Sequence, residues 1–305
     1  MHEDKTFGGA HAKSALSVRA VAAMTVLRQA DDILTSAGIR MPRLLYGTAW
    51  KGERTAALVA SALRAGFRGI DTAAQPKHYD EAGVGAGLAT AGLPAREALY
   101  LQTKFTPASG QAREHLPYTL TAPLAAQIEQ SLAASRRNLR TTYLDALLLH
   151  SPLESRALTL LAWRTMEQLV ASDAVRQLGI SNCYALAEFD ALYRAAEIKP
   201  AVLQNRFYGR TRHDRELRAY CRAHNVVYQS FWTLTANPDA LGSSTLQILA
   251  QRHGRTPAQI LFRYLTHIDV VPLTGTSSQE HMHDDLAIFE FELEVRECDA
   301  LSVLF

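Results

Sequence analysis

Four residues carry side chains that together could do acid–base chemistry: Asp71, Tyr79, Lys104 and His150. A phenol with a pKa of about 10 exchanges protons poorly at neutral pH unless its surroundings tune it. A neighbouring ammonium favours the phenolate, and a carboxylate can hold that ammonium in place. A neutral imidazole beside the phenol can orient a carbonyl oxygen by hydrogen bonding. The set could therefore protonate the alkoxide that forms as hydride reaches a carbonyl carbon, and it needs no metal. Each member also has a plain structural reading. A strand-end His is commonly a satisfied core residue, Asp71 before Thr72 could cap a helix, and Tyr79 lies in a polar loop. Lys104 is the hardest to place that way, because a buried lysine is unusual unless paired or functional.

These positions are far apart in sequence, so a fold must gather them. After about residue 40, short apolar runs alternate with longer amphipathic stretches. The runs are Leu44–Tyr46, Phe67–Ile70, Leu99–Leu101, Ala146–Leu149, Val175–Ile180, Ala201–Leu203, Val226–Val227 and Ile268–Val271. Helical patterns between them include Thr55–Ala65, Leu124–Asn138, Leu158–Ala171, Leu186–Ala196, Arg215–His224 and Pro257–His267. Such alternation implies βαβ units and a parallel sheet, and eight units favour closure into a single (β/α)8 TIM barrel of the α/β class. Gly47, Asp71, Lys104, His150, Asn182, Gln204, Phe231 and Gly275 each follow an apolar run. In a parallel barrel they would share one mouth, the face on which active sites sit.

No linker divides the chain, which reads as a barrel over 34–305 behind an N-terminal extension, 1–33. Within the extension Ala15–Ala30 is Ala-rich with Arg19 and Arg28, somewhat as in a transit peptide. Glu3, Asp4, Asp31 and Asp32 flank it and favour a loosely docked extension instead.

The chain has 305 residues, 48% of them apolar, with 32 Lys+Arg against 30 Asp+Glu and a formal charge of +2. That much chain can bury a large core without staples. The absence of a basic run argues against nucleic acid or a polybasic membrane surface, and no stretch of about 18 apolar residues suggests a membrane span. Cys183, Cys221 and Cys298 are odd in number and widely separated, which suggests neither zinc nor disulfides but a reducing, cytoplasmic compartment. His281, His283, Asp284 and Asp285 crowd one segment, and His281 and Asp285 would share a helix face. With no third partner in view, a solvated helix face is the better reading than a metal site.

The residues also carry a resemblance. GIDTAAQPKHYDEAGVG (69–85), LQTKF (101–105), LLLHSP (147–152), GISN (179–182), LQN (203–205) and SFWTL (230–234) together resemble the aldo-keto reductase superfamily, from about Met41 to Leu293. Singly each motif is weak; six in order, each at a predicted strand end, are specific. The resemblance implies a monomeric barrel that binds NADP(H), with NAD(H) use also open, and reduces a small carbonyl substrate. By position it makes Tyr79 the general acid, Lys104 the group that lowers its pKa, Asp71 the partner of Lys104 and His150 the residue that positions the substrate oxygen. Ser181, Asn182 and Gln204 would bind the nicotinamide carboxamide and Phe231 would stack on the ring. Thr48 and Ala49 would lie at the nicotinamide ribose, and Trp50 and Trp232 would wall the substrate. A cofactor-binding regulatory subunit of low turnover is the alternative reading.

Three departures from the family pattern shape further expectations. The segment DTAAQPKHY is longer than the usual DTAxxY, so the phenol's placement rests on a Gln75–His78 loop folding outward, with Lys77 and His78 able to intrude. After the last strand, Gly275 and Thr276 replace a Lys-Ser pair and His281 replaces an Arg. Ser277 and Glu280 form an S-x-x-E pattern, so the amides of Gly275–Ser278 could bind an anion at a helix N-terminus, with Asp285 facing the adenine. Little sequence follows the last helical pattern, Glu294–Val303. An open pocket is expected, walled by Trp50 and the loops Thr106–Ala122 and Thr235–Ser244, without a fixed cation and with broad specificity.

Overall fold

The short apolar runs pair side by side as parallel strands, and the amphipathic stretches wrap them as helices. The computed structural model describes residues 32–92, 95–112 and 114–305. A two-residue-per-strand hairpin, β1 (Ile33–Leu34) and β2 (Arg40–Met41), comes first. The barrel follows: β3 (Leu45–Gly47), β4 (Gly69–Asp71), β5 (Tyr100–Phe105), β6 (Ala146–Leu149), β7 (Leu178–Ser181), β8 (Val202–Arg206), β9 (Val227–Phe231) and β10 (Val270–Thr274). All eight are parallel to their neighbours, and β10 pairs with β3 to close the ring. This is the (β/α)8 barrel the alternation implied. The strands end within two residues of the positions expected to share the mouth.

Strand alternation divides the apolar side chains into two cores. Leu45, Tyr100, Ala146, Leu148, Val202, Val271 and Leu273 fill the barrel interior, with Met41 of the hairpin among them. Trp163, Met166, Ile128, Phe189, Leu261 and Leu265 belong to the larger layer between strands and helices. The hairpin was not expected from the sequence. Its side chains join the interior: the Thr35 hydroxyl donates to Gln177 Oε1 at 2.6 Å, and Gln229 Nε2 donates to Met41 Sδ at 3.1 Å. The expectations for residues 1–31 lie outside the described residues.

The helices are α1 (Thr55–Ala65), α2 (Glu81–Thr90), α3 (Leu124–Asn138), α4 (Arg156–Ala171), α5 (Leu186–Ala195), α6 (Arg215–Ala223), α7 (Pro238–Leu241), α8 (Ser244–His253), α9 (Pro257–His267), α10 (Gln279–Leu286) and α11 (Val295–Ser302). Helix α2 had no clear sequence signal, because three of its ten residues are glycine and each weakens a helix by about 1 kcal/mol. Tertiary packing explains them: a Cβ at Gly87 would meet the Ala56 carbonyl of α1 at 2.6 Å. Asp80 caps the helix by accepting from Gly83 N at 2.8 Å. Helix α9 begins with Pro257 and a Thr256–Gln259 capping box, strong local signals. Among the described residues, no helix is long and apolar enough to cross a membrane.

Candidate active site

The barrel mouth opens into a cavity of about 830 Å³. Asp71 is the last residue of β4, and its register partner on β5 is Gln102, two residues before Lys104. Alternation therefore sends Gln102 and Lys104 to the same inner face. Lys104, 1% exposed, donates from Nζ to both Asp71 carboxylate oxygens at 2.7 Å and to the Thr72 carbonyl at 2.9 Å. Asp71 Oδ1 also accepts from Gln102 Nε2 at 2.6 Å and Gln204 Nε2 at 3.0 Å. Gln229 joins the two glutamines, accepting from Gln102 and Gln204 at 2.8 Å each. A buried charge pair is tolerable only when its remaining sites are satisfied, and this glutamine layer does that.

Tyr79 lies above the pair, its ring centroid 5.4 Å from Lys104 Nζ. The His150 ring meets it edge-on with centroids 6.1 Å apart. Burial pushes the Tyr79 phenol well above its ordinary pKa, and the Asp71 charge pushes the same way. Desolvation dominates the phenol, and the Lys104 ammonium is bound to Asp71. Burial likewise lowers Lys104, against the opposing pull of Asp71 and Glu81. His150 is held down to about 3 by burial first, then by the Lys104 and His78 charges, so its ring is neutral at pH 7. Its Nδ1 shares a 2.6 Å hydrogen bond with the Thr106 hydroxyl, and the Thr106 carbonyl accepts from Tyr118 at 2.8 Å. The site thus has a phenol kept protonated and an uncharged imidazole fixed beside it.

Most of the remaining sequence-derived residues line this same cavity: Ala49, Trp50, Ser181, Asn182, Gln204, Phe231, Trp232, Gly275, Thr276, Ser277, His281 and Asp285. Asn182 donates to the His150 carbonyl at 2.9 Å and accepts from Tyr184 at 3.1 Å. Gln204 commits its amide nitrogen to Asp71 and Gln229, which leaves its Oε1 free as an acceptor. Trp50, Asn182 and Trp232 all have left-handed backbones, with φ of 63°, 53° and 56°. Such geometry is costly for bulky residues and clusters at functional sites.

Several expectations need correction. Thr48 does not line the cavity; its backbone and hydroxyl both donate to the Asp71 carbonyl, which makes it a strand-end brace. Helix α10 is capped by Ser278, which accepts from His281 N at 3.3 Å, so the Ser277–Glu280 box does not form. No described residue of the Thr106–Ala122 loop lines the cavity. That loop instead holds the long Asp71–Tyr79 segment, with Gln75 donating to Gly110 O at 2.6 Å and Gln111 to Ala74 O at 2.7 Å. Lys77 is exposed, but the rest of the segment does not fold fully outward. His78 turns in and packs against Trp50, with ring centroids 3.7 Å apart and planes inclined at 35°.

The expectation of a cavity without a fixed cation also fails. Lys51, Arg54 and Arg206 line it. Lys51 donates from Nζ to the Gly275 carbonyl, 224 positions away, and so carries an ammonium to the loop that lacks the family's lysine. Burial, then Arg54, lowers its pKa. Arg206 had a sequence signal, because it lies two residues past Gln204 and shares its face. Lys51 had none, since its contact depends on barrel closure. Asp285 accepts from Thr274 at 2.6 Å, and burial raises its carboxyl to about 6. Among the described residues, no group of three or more His, Cys, Asp or Glu is placed to hold a metal ion.

A closed parallel barrel whose strand ends gather a carboxylate, an ammonium, a phenol and an imidazole defines an oxidoreductase-type barrel site. The family described as Aldo/keto reductase family matches residues 43–303, and the chain belongs to that family. It is 29% identical over 276 residues to glyoxal reductase of Bacillus subtilis (strain 168), covering 90% of this chain and 92% of that protein. An aldo-keto reductase of Mycobacterium avium (strain 104) is 31% identical over 266 residues, covering 87% and 86%. Among solved structures, an aldo/keto reductase from Brucella melitensis superposes with a TM-score of 0.77 at 26% identity, covering 90% of this chain and 99% of that one. The family and its reductase-named relatives make this an oxidoreductase of the carbonyl-reducing kind, in a family that generally uses NAD(P)H.

Proposed function

We propose that the protein reduces aldehydes and activated ketones to alcohols with NADPH, with Tyr79 as the general acid. The observation that carries this reading is the buried Lys104–Asp71 pair beneath the Tyr79 ring, with neutral His150 at its edge. The cavity residues fit a dinucleotide. Gln204 Oε1 is an unpartnered acceptor for a carboxamide, Phe231 offers a ring face, and Lys51, which reaches Gly275, and Arg54 offer cations in the cavity. When bound, the nicotinamide supplies the hydride.

The chain's own groups do the rest. His150 holds the carbonyl oxygen at hydrogen-bonding range of the phenol, and Tyr79 gives up its proton as charge develops on that oxygen. Its high resting pKa keeps the proton in place until then, and the Lys104 ammonium stabilises the phenolate that results. Lys51 and Arg54 favour the extra phosphate of NADPH more weakly than a dedicated Lys and Arg would, so NADH use accompanies it. The half-open aromatic wall of Trp50 and Trp232, 63% and 44% exposed, supports broad specificity and modest affinity. The three cysteines are all free, which suits a cytoplasmic enzyme, and we read it as a monomer.

The test is NADPH oxidation with a panel of aldehydes, for wild type and Tyr79→Phe. We expect Tyr79→Phe to lose about 10²- to 10⁴-fold in turnover, the usual range for a general acid, with the cofactor dissociation constant unchanged. Unchanged turnover in the variant would refute the assigned acid. Wild type that binds cofactor but turns over no carbonyl would favour the regulatory-subunit reading.

A further inference from the structure

Arg206 ends β8, and its guanidinium carbon lies 4.2 Å from the Trp232 ring centroid, 5.4 Å from Tyr208 and 6.0 Å from Phe231. These are cation–π distances, which position a guanidinium without neutralising it. Lys104 at the cavity floor, by contrast, is neutralised by Asp71. Among the described residues Arg206 has no acidic partner, and its Nε is buried without a hydrogen-bond acceptor. Its backbone is fixed as well, with the amide donating to Tyr184 Oη at 3.2 Å. Trp232 holds a left-handed backbone at φ 56°, and its indole lies against the guanidinium. Arg206 lines the cavity that also contains Tyr79 and His150. A planar fork of N–H donors, pre-positioned and lacking a counter-ion, matches a carboxylate or phosphate in bidentate geometry.

We propose that Arg206 is an oxyanion-binding residue of the catalytic cavity, taking either the carboxylate of an oxo-acid substrate or the diphosphate of the dinucleotide. The proposal rests on the reading of this cavity as a reductase site. Calorimetric titration of wild type, Arg206→Gln and Arg206→Lys tests it, first with NADP+ and then, on NADP+-loaded protein, with benzoate and with neutral benzamide. We expect Arg206→Gln to weaken one anionic titrant about tenfold, with Arg206→Lys between it and wild type. A loss confined to NADP+ assigns the diphosphate. A loss confined to benzoate, with benzamide unmoved, assigns a substrate carboxylate. Should the Gln variant fail to melt cooperatively, the Lys variant, which keeps the charge but not the fork, still reads the same difference. Unchanged constants for both anions would overturn the proposal and leave the reductase reading standing. A wild type that binds no NADP+ and reduces no neutral aldehyde would defeat the reductase reading and the proposal with it.

Discussion

The two ends of the cavity are built on different principles. At the Asp71 end a buried ion pair is locked by Gln102, Gln204, Gln229 and the Thr72 carbonyl, so both charges are held by several hydrogen bonds. At the Gly275 end small residues line the wall, and Lys51 reaches in from the neighbouring loop after β3. The first arrangement fixes positions through burial and mutual hydrogen bonding. The second leaves room for a ligand and draws its charge from two long side chains, Lys51 and Arg54. Rigid chemistry and permissive binding are thereby separated along one cavity.

The comparison can be broken most severely at the ion pair. Asp71→Asn leaves the Lys104 ammonium buried and unpaired, and should cost about 3–5 kcal/mol in denaturant unfolding. Ser277→Ala at the other end should change the same measurement by no more than about 0.5 kcal/mol. Similar losses from both would show that the ends are not differently built.

Acid sharpens the contrast, because the two ends titrate with opposite sign. His150 is held down to about 3 by burial against an ordinary 6.5, so the unfolded chain takes its proton first. Stability from this group is complete above about pH 6.5 and is lost as pH falls from there toward 3. Asp285 is raised to about 6 by burial against 3.8, so the folded protein takes its proton first and gains as pH falls through 6. Asp285→Asn should therefore stabilise the protein at pH 7 by about 1–3 kcal/mol and make its decline toward pH 4.5 steeper than in wild type. Unfolding midpoints at the two pH values check this, and parallel profiles would count against it.

The smallest effect falls on Lys51. Lys51→Met should raise the NADPH dissociation constant about tenfold, some 1.4 kcal/mol, and the NADH constant by less. Fluorescence titration of both cofactors measures it. Equal weakening would mean that Lys51 serves a phosphate common to the two.

Much of the barrel was readable from period alone. Helices α1, α3 and α9 span the ranges their patterns suggested, because each has a continuous apolar face and clear ends. Helix α2 was not readable, since its glycines are there for contacts with α1 and α3 rather than for helix formation. At the site, Asp71, Tyr79, Lys104 and His150 stood out as a set, through the buried position of Lys104 and the motifs that carry the family resemblance. Gln204 stood out only through the resemblance, and Gln102 and Gln229 beside it did not, because a neutral amide in a strand has no distinctive local signature.

Side-chain chemistry and its periodic placement determined the fold class and the four groups at the mouth, since local pattern dictates which face each residue takes. Only the closed ring decided what those groups meet: that Lys51 reaches Gly275, that His78 turns onto Trp50, and that Tyr79 stays protonated above a paired lysine. These depend on distances between segments that share no local sequence, and on the loss of water when the ring closes around them.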